Sequence, residues 1–578
     1  MICEVYPILK LPRKCTVFDY AVPDNLKVSV GDLIRTPFKG RESWGIVRAL
    51  KPTSEVKKLM ELVNVVTPSY FTLADLERYE TIARCLAQSV SSLLHAAWPD
   101  KYSTLLPATV TATSNAQITS ADLVALDKCL VAIDQSQTAC LSGGRDIGLA
   151  LASVLRRKYS GQLLILLPTE REAELLARHV KLGPSVALLH GKTKPLMRGQ
   201  IFNAWKTGQI KTLIGTRLAA LMPAHDLKVA LVLEAGSQEY LNERRNPRFD
   251  AREAVKLLAH QHQAKLVFFD PLPRLEDLQN HQLSTTLTER SPEMIINQAS
   301  ADELSPEPML SDSVLFGIEK ALQSQKKVLL CLNRKGVAKR LQCGKCGHIP
   351  TCGTCGHVPM VRHDDLVCPN CQTEMWIPER CPSCSQPKLA LRGLGGTKVA
   401  ENLQRLFPTA TVGQIEKGKI EKPQADILLV TEYYFTSYLP VFAPKDFGLV
   451  ADLAADIGLH ASDFRGSEET ARRLHRLIYL ATQQGADILV QTWLPEILQP
   501  MLDLPQFVAA ELTTRQTYQL PPAVSRYILL KTKLEDLPVE LQSLAVERDD
   551  NLELPGSVQA DLKSLPDHLK IKYEGAYV

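Results

Sequence analysis

The chain has 578 residues, enough for roughly four structural units at the usual ~100–200 residues per domain. Hydrophobic residues make up 45% and charged residues 22%, ordinary globular values that exclude a mainly disordered, collagen-like or coiled-coil chain. A net charge of +4 neither demands nor excludes a nucleic-acid partner; apolar runs such as Leu163–Leu167 fall far short of the ~20 residues that cross a bilayer, so a cytoplasmic protein without a membrane partner is expected.

In chain order, residues 1–65 read as a small β module, with strands at Cys15–Val22, Asp32–Pro37 and Trp44–Arg48 set between Pro and Gly residues. One helix is predicted over Leu73–Leu94, followed by a Ser/Thr-rich connector over Pro99–Ser120. From Ala139 to Pro273, strands (Gln162–Leu167, Val186–Leu189, Thr212–Gly215, Ala230–Leu233, Leu266–Phe269) alternate with helices (Arg171–His179, Arg198–Lys206, Ala251–His260), the α/β pattern of a parallel sheet. Polar Arg274–Ser313 reads as a joint. A second α/β pattern starts at Lys327–Leu332, is interrupted by a cysteine cluster, and resumes through Val399–Leu406, Ile427–Val430, Gly448–Asp452, Thr470–Thr482 and Ile488–Gln491. After Pro521–Pro522, a strand at Tyr527–Lys531 leads into a weakly patterned C-terminus. The expected division is a β-rich domain 1–105, a linker 106–138, a first lobe 139–273, a joint 274–313, a second lobe 314–519 with an insertion at 341–390, and a short C-terminal domain 520–578.

Charge is unevenly spread along this plan. Residues 1–60 carry eleven Lys/Arg against six Asp/Glu and residues 331–398 carry ten against four, whereas 535–553 hold seven acids against Arg548 alone. Such asymmetry is usually solvated surface, but a phosphate backbone also requires it.

Of fourteen cysteines, eight form four C-x-x-C pairs: Cys343/Cys346, Cys352/Cys355, Cys368/Cys371 and Cys381/Cys384. Each pair lies in a Gly- or Pro-bearing turn that lets two thiolates and nearby amides converge on one ion, so eight ligands make two closed Cys₄ zinc sites. Four consecutive pairs fit a single redox dithiol centre poorly. Closed sites leave no open coordination position, so both zinc ions are expected to be structural. His348, His357 and His363 are expected as loop residues, since the cysteines already saturate both ions.

The run Leu332–Asn333–Arg334–Lys335–Gly336 just before the cysteine pairs, then Gly393–Leu394–Gly395 and Asp463–Phe464–Arg465, resembles the bacterial primosomal protein N-prime family of replication-restart DNA helicases. Phe18–Asp19–Tyr20, Gly215–Thr216–Arg217 and Leu520–Pro521–Pro522 fall in the family's order, so the resemblance covers nearly the whole chain. It implies two RecA-like helicase lobes, an N-terminal β module that holds a DNA 3′ end, and a double zinc insertion in the second lobe. It also implies nested zinc pairing: Cys343, Cys346, Cys381 and Cys384 on one ion, Cys352, Cys355, Cys368 and Cys371 on the other.

The motor motifs depart from the family. Where its phosphate-binding loop should run, the chain reads Leu141–Ser142–Gly143–Gly144–Arg145–Asp146–Ile147–Gly148, shortened, without a Lys-Ser/Thr pair and with Asp146 where phosphate should sit. Arg145 offers a cation there but no magnesium-binding hydroxyl. The acidic box is Glu234–Ala235–Gly236–Ser237, with one carboxylate; the coupling segment is Phe268–Pro273; and the arginine-finger segment has become Leu477–Ile478–Tyr479–Leu480–Ala481–Thr482. Loss of an arginine finger alone costs roughly 10³–10⁵ in turnover, so a catalytically inactive, degenerate member is expected and ATP is a doubtful ligand.

The DNA-handling parts are better kept. The resemblance makes Asp19 the acidic residue that accepts a hydrogen bond from a terminal sugar or base, with Phe18 and Tyr20 shaping the wall and Lys39, Arg41 and Lys57 as phosphate contacts. Lys39 stands where the family has a small Gly. Arg217 either touches DNA backbone or buttresses its strand end, and Asp456 and Asp463 are retained as packing or capping groups. The family's winged-helix module is missing between Pro107 and Ala139. The leading expectation is a DNA-binding protein that recognises forks or 3′ ends and recruits replication or restart proteins. The alternatives are an active 3′-to-5′ helicase with an atypical nucleotide site and a zinc-stabilised interaction scaffold without DNA affinity.

Overall fold

The computed structural model describes residues 1–13, 15, 17–99, 102–110, 112, 120–242, 247–285, 294–297, 309–332, 340–346, 348–362, 365–368, 371–387, 389–392, 396–435, 446–460, 464–548, 551–558, 562, 565 and 569–574. Asn333–Gly336, His363, Gly393–Gly395 and Asp463 lie outside the described residues.

The N-terminal strands form one six-stranded sheet in the order Met60–Glu61, Phe18–Ala21, Ile2–Pro7, Arg41–Lys51, Leu33–Phe38, Asn64–Thr67, antiparallel except at its first pair. The hairpin joining Leu33–Phe38 to Arg41–Lys51 turns on Lys39 (φ +49°) and Gly40 (φ +76°). Two positive φ angles in a two-residue loop are those of a type I′ turn, whose twist matches the flanking strands. Lys39 adopts the left-handed region at a cost of about 1–2 kcal/mol that Gly would avoid.

The helix expected over Leu73–Leu94 is two, Leu73–Cys85 and Val90–Ala97. The apolar residues continue through the gap, which hid the break. Ala87 takes φ +48°, and Ser89 caps the second helix by accepting from the Ser92 amide. The pair packs the β module onto the first lobe: the Tyr79 hydroxyl donates to the Leu221 carbonyl (2.6 Å), and Trp98 meets Phe202 at 5.2 Å between centroids.

The first lobe is a seven-stranded parallel sheet in the order Leu283–Thr285, Thr138–Ser142, Lys265–Asp270, Leu227–Leu233, Gln162–Leu166, Thr212–Gly215, Val186–Leu189. It therefore extends past 273 into the stretch read as a joint. The stretch read as a linker also contains a helix, Ser120–Gln135, whose Leu126, Cys129 and Ile133 are buried in this lobe's core. The second lobe orders Met294–Asn297, Asp487–Thr492, Phe447–Asp452, Lys327–Cys331, Ile427–Val430, Val412–Glu416 and Lys419–Glu421, all parallel but for the last hairpin. Here too an outer strand comes from the joint. The insertion rises from an antiparallel pair, Arg340–Cys343 with Leu389–Arg392, and carries a small three-stranded sheet.

The weakly patterned C-terminus is a four-stranded antiparallel sheet, Val546–Arg548, Asn551–Pro555, Arg526–Leu530, Lys570–Glu574. Its strands are short, but the alternation of buried Leu552 and Leu554 marks one face of the sheet. It returns to the start of the chain, where the Tyr527 hydroxyl donates to the Cys85 carbonyl (3.0 Å) and Arg13 donates to the Leu569 carbonyl (2.9 Å).

Asp75 joins the β module to the first lobe through Lys206 (2.6 Å) and Gln261 (2.9 Å). Burial opposes its ionisation, but the charges of Lys206 and Arg78 overcome that and hold the carboxyl down to about 2. Because the folded value lies below the ordinary 3.8, this contribution is complete above about pH 4 and is lost as pH falls toward 2. Asp75→Asn should lower stability at pH 7 by about 2 kcal/mol and flatten the pH dependence of the urea midpoint between pH 4 and 2.

Candidate functional site

The cysteines converge in two quartets, Cys343, Cys346, Cys381, Cys384 and Cys352, Cys355, Cys368, Cys371, with all ligand atoms of each quartet within 4.8 Å of one another. Sulfur separations are 3.6 Å (Cys343–Cys384), 3.5 Å (Cys346–Cys381), and 3.4 Å for both Cys352–Cys371 and Cys355–Cys368. A disulfide would need about 2.05 Å. A tetrahedron with Zn–S bonds of about 2.3 Å sets its sulfurs about 3.8 Å apart, so the donor sets fit two zinc ions. Backbone geometry supports the thiolates: the Cys343 amide donates to the His348 carbonyl (2.9 Å) and the Cys352 amide to the His357 carbonyl (2.8 Å), closing each knuckle. Burial alone would raise the Cys343 and Cys352 thiols, but hydrogen bonds from nearby backbone amides outweigh it and bring them to about 6 and about 7. His348 and His357 contribute carbonyls and stand outside both quartets.

In the β module, Asp19 lies on the strand Phe18–Ala21 with its side chain 11% exposed. It accepts from the Ser54 hydroxyl and pairs with Lys51 at 2.8 Å; Lys51 also reaches Glu4 at 3.0 Å. Burial pushes its pKa up, yet the hydrogen bonds from Lys51 and Ser54 prevail and hold the carboxyl below its usual range. Phe18 meets Phe38 edge-on at 5.4 Å, and the Tyr20 hydroxyl donates to the Pro37 carbonyl (3.1 Å), so both aromatic rings tie the strand Phe18–Ala21 to the strand that leads into the Lys39–Gly40 turn. Lys39 and Arg41 are exposed on that hairpin. Lys57 is also exposed, but the cation beside Asp19 is Lys51, which sequence reasoning missed because β pairing, not sequence spacing, brings it there.

The cleft between the lobes is filled by side chains. The strand Thr138–Ser142 passes into the helix Arg145–Lys158 through Gly143 and Gly144 alone. The Gly143 amide is spent on the Asp270 carbonyl (3.1 Å), and a Cβ on Gly144 would lie 1.4 Å from Cε1 of Tyr479, so the Tyr479 ring packs flush against that glycine. Asp146 stands in the first turn, where a carboxylate suits the positive end of the helix dipole. Arg145 turns to Glu172 (3.6 Å) and the Phe435 carbonyl (3.4 Å). Glu234, at φ +51°, pairs with Arg476 at 2.9 Å, and Arg476 also pairs with Glu432. Arg472 donates to the Leu272 carbonyl (2.7 Å), pairs with Glu468, and lies 3.5 Å from Asp270. A Cβ on Gly236 would sit 1.9 Å from Arg472 Nε, so the box turn accepts only glycine there. What remains among Gly144, Arg145, Glu234, Pro271 and Tyr479 is a cavity of about 30 Å³, room for about two waters.

Residues 8–99 match the family model described as 3'DNA-binding domain (3'BD), the stretch that holds Phe18, Asp19 and Lys51. Residues 148–221, within the first lobe, match the model for the helicase conserved C-terminal domain. The replication restart protein PriA of Rickettsia conorii is 24% identical over 561 residues, covering 90% of this chain and 86% of that protein. Over nearly its whole length the chain is similar to the PriA family of replication restart proteins. The PriA protein of Bacillus subtilis is 26% identical over 380 residues (59% of this chain, 46% of that protein), and that of Thermotoga maritima 27% over 342 residues (55% and 45%). The solved structure of S. cerevisiae Dbp5 bound to RNA and ADP BeF3 covers 69% of this chain and 97% of that chain at 10% identity and a TM-score of 0.32.

Of the two roles open to Arg217, its contacts are those of a buttress: Nη1 donates to the Glu239 and Leu241 carbonyls, both at 3.0 Å. Asp456 is a capping group, accepting from the Trp493 amide (3.2 Å). Arg472 and Arg476, the residues that fill the cleft, were missed in the sequence because they lie just before the segment compared with the PriA arginine finger.

Elemental analysis should find two zinc ions per chain, falling to one in a Cys352→Ser/Cys371→Ser double variant. Because closed thiolate sites contribute folding free energy, chelation should loosen the second lobe, seen as faster amide exchange around 341–390.

Proposed function

We propose that the protein binds DNA 3′ ends or forks in replication restart and does so without ATP-driven unwinding, the two zinc ions shaping the second-lobe insertion. PriA kinship and the 3′ DNA-binding match support the DNA part of this reading. Asp19 repels phosphate, so its favourable role is a directed hydrogen bond to a terminal hydroxyl, while Lys39, Arg41 and Lys57 supply cations for the backbone. Lys51 keeps Asp19 ionised and oriented.

The observation that carries the non-motor part is Tyr479 seated on Gly144. A phosphate-binding loop offers free amides at a helix N-terminus and a cation for the β- and γ-phosphates. Here two glycines replace the loop, an aromatic ring covers the helix start, and Arg145 and Glu234 are committed to side-chain partners. Among the described residues beside Gly144, Glu172 and Glu234 are already paired with Arg145 and Arg476.

Steady-state hydrolysis of ATP should remain at the no-enzyme background with and without forked DNA. DNA-stimulated turnover that disappears in Glu234→Ala would reject the non-motor reading. In the full chain, Asp19→Ala should erase the preference for a 3′-hydroxyl end over a blocked one at similar or higher bulk affinity. Lys57→Ala should weaken all DNA about equally and reduce the log–log salt slope by about 0.7–0.9. Open and blocked ends bound alike by the unaltered protein would reject the end pocket.

A further inference from the structure

The Asp19 carboxylate is held by one oxygen only. The Lys51 ammonium (2.8 Å) and the Ser54 hydroxyl both meet Oδ2, and Oδ1 has no partner among the described residues. Ser54 Oγ in turn accepts from the Val56 amide (3.1 Å), so its single hydrogen goes to Asp19 and the hydroxyl is fixed as a donor. Lys51 is fixed from a second side. Glu4, opposite Asp19 in the register of the neighbouring strand, meets its ammonium at 3.0 Å and is itself paired with Arg48 at 2.7 Å. Lys51 Nζ therefore lies between two carboxylates, whereas Lys57 is exposed and pairs with no acid among the described residues.

We infer that Ser54 and Lys51 are positioning residues for end recognition: by immobilising Oδ2 they present Oδ1 as one fixed acceptor for a terminal hydroxyl. The inference rests on the reading of Asp19 given above and assigns how that residue is made selective. A carboxylate free to turn must give up that freedom when it binds, and one held by two donors has already done so. An ionised carboxylate only accepts, so a hydrogen-bond donor is what it selects. The linked set of Asp19, Glu4 and Glu80 against Lys51 and Arg48 carries one net negative charge, which favours a neutral donor over a phosphate. Lys51 thus acts on the end through Asp19 and takes no part in backbone binding, unlike the exposed cations Lys39, Arg41 and Lys57.

The test uses the full, zinc-loaded chain and forked DNA with an open or a blocked 3′ end, at several salt concentrations. Ser54→Ala changes no charge; it should reduce the preference for open over blocked ends by about 2- to 10-fold and leave the affinity for blocked ends as it was. Ser54→Thr, which keeps the hydroxyl, should restore the preference. Lys51→Met should also lose the preference, yet keep the salt slope of the unaltered protein. An unchanged preference in Ser54→Ala, or a slope reduced by about 0.7–0.9 in Lys51→Met, overturns the positioning role and leaves the end pocket standing. An unaltered protein that binds open and blocked ends alike overturns both.

Discussion

Arg472 and Arg476 leave the second-lobe helix Gly466–Gln484 one turn apart on the same face and end on the first lobe, at Leu272, Asp270 and Glu234. Much of the architecture follows from that crossing. Buried guanidinium groups are tolerated only when hydrogen-bonded and paired, so carboxylates collect around them: Glu468 between Arg472 and Arg515, Glu432 beside Arg476, and Glu276 and Glu574 on Arg465. Gly236 must lack a side chain to admit Arg472, and Gly144 must lack one to admit Tyr479. Side chains of the second-lobe helix thus occupy the space beside both glycines. The same helix that links the lobes therefore fills the cleft between them.

The peripheral modules solve different problems. An insertion of about fifty residues cannot bury enough surface to fold alone, and two thiolate quartets supply what a core would. The β module instead docks an aromatic cluster on the first lobe, Trp98 stacked on Tyr102 with Trp44 and Tyr70 around them, and leaves Lys39 and Arg41 of its hairpin exposed.

Much of this was legible from residue order. Parallel-sheet strands such as Thr212–Gly215 announce themselves as short apolar runs, and C-x-x-C pairs fix their chemistry by composition alone. That no G-x-x-x-x-G-K-[ST] string occurs in the sequence was equally plain. What stayed hidden depended on tertiary neighbours. Nothing near Lys51 in sequence points to Asp19; the pairing of Ile2–Pro7 with strands on both sides does. Tyr479 read as the loss of a finger segment, and only packing reveals that its ring occupies the place beside Gly144.

The central claim is that side chains, not nucleotide, hold the lobes closed. A distance measurement between one label on the first-lobe helix Ala251–Gln261 and another on the second-lobe helix Asp312–Gln323 addresses it directly, by pulsed electron resonance in solution. The account predicts one narrow distance distribution without nucleotide, unmoved by saturating magnesium-ATP and broadened by Arg472→Ala/Arg476→Ala. A broad distribution in the unaltered protein that narrows when magnesium-ATP is added would contradict it.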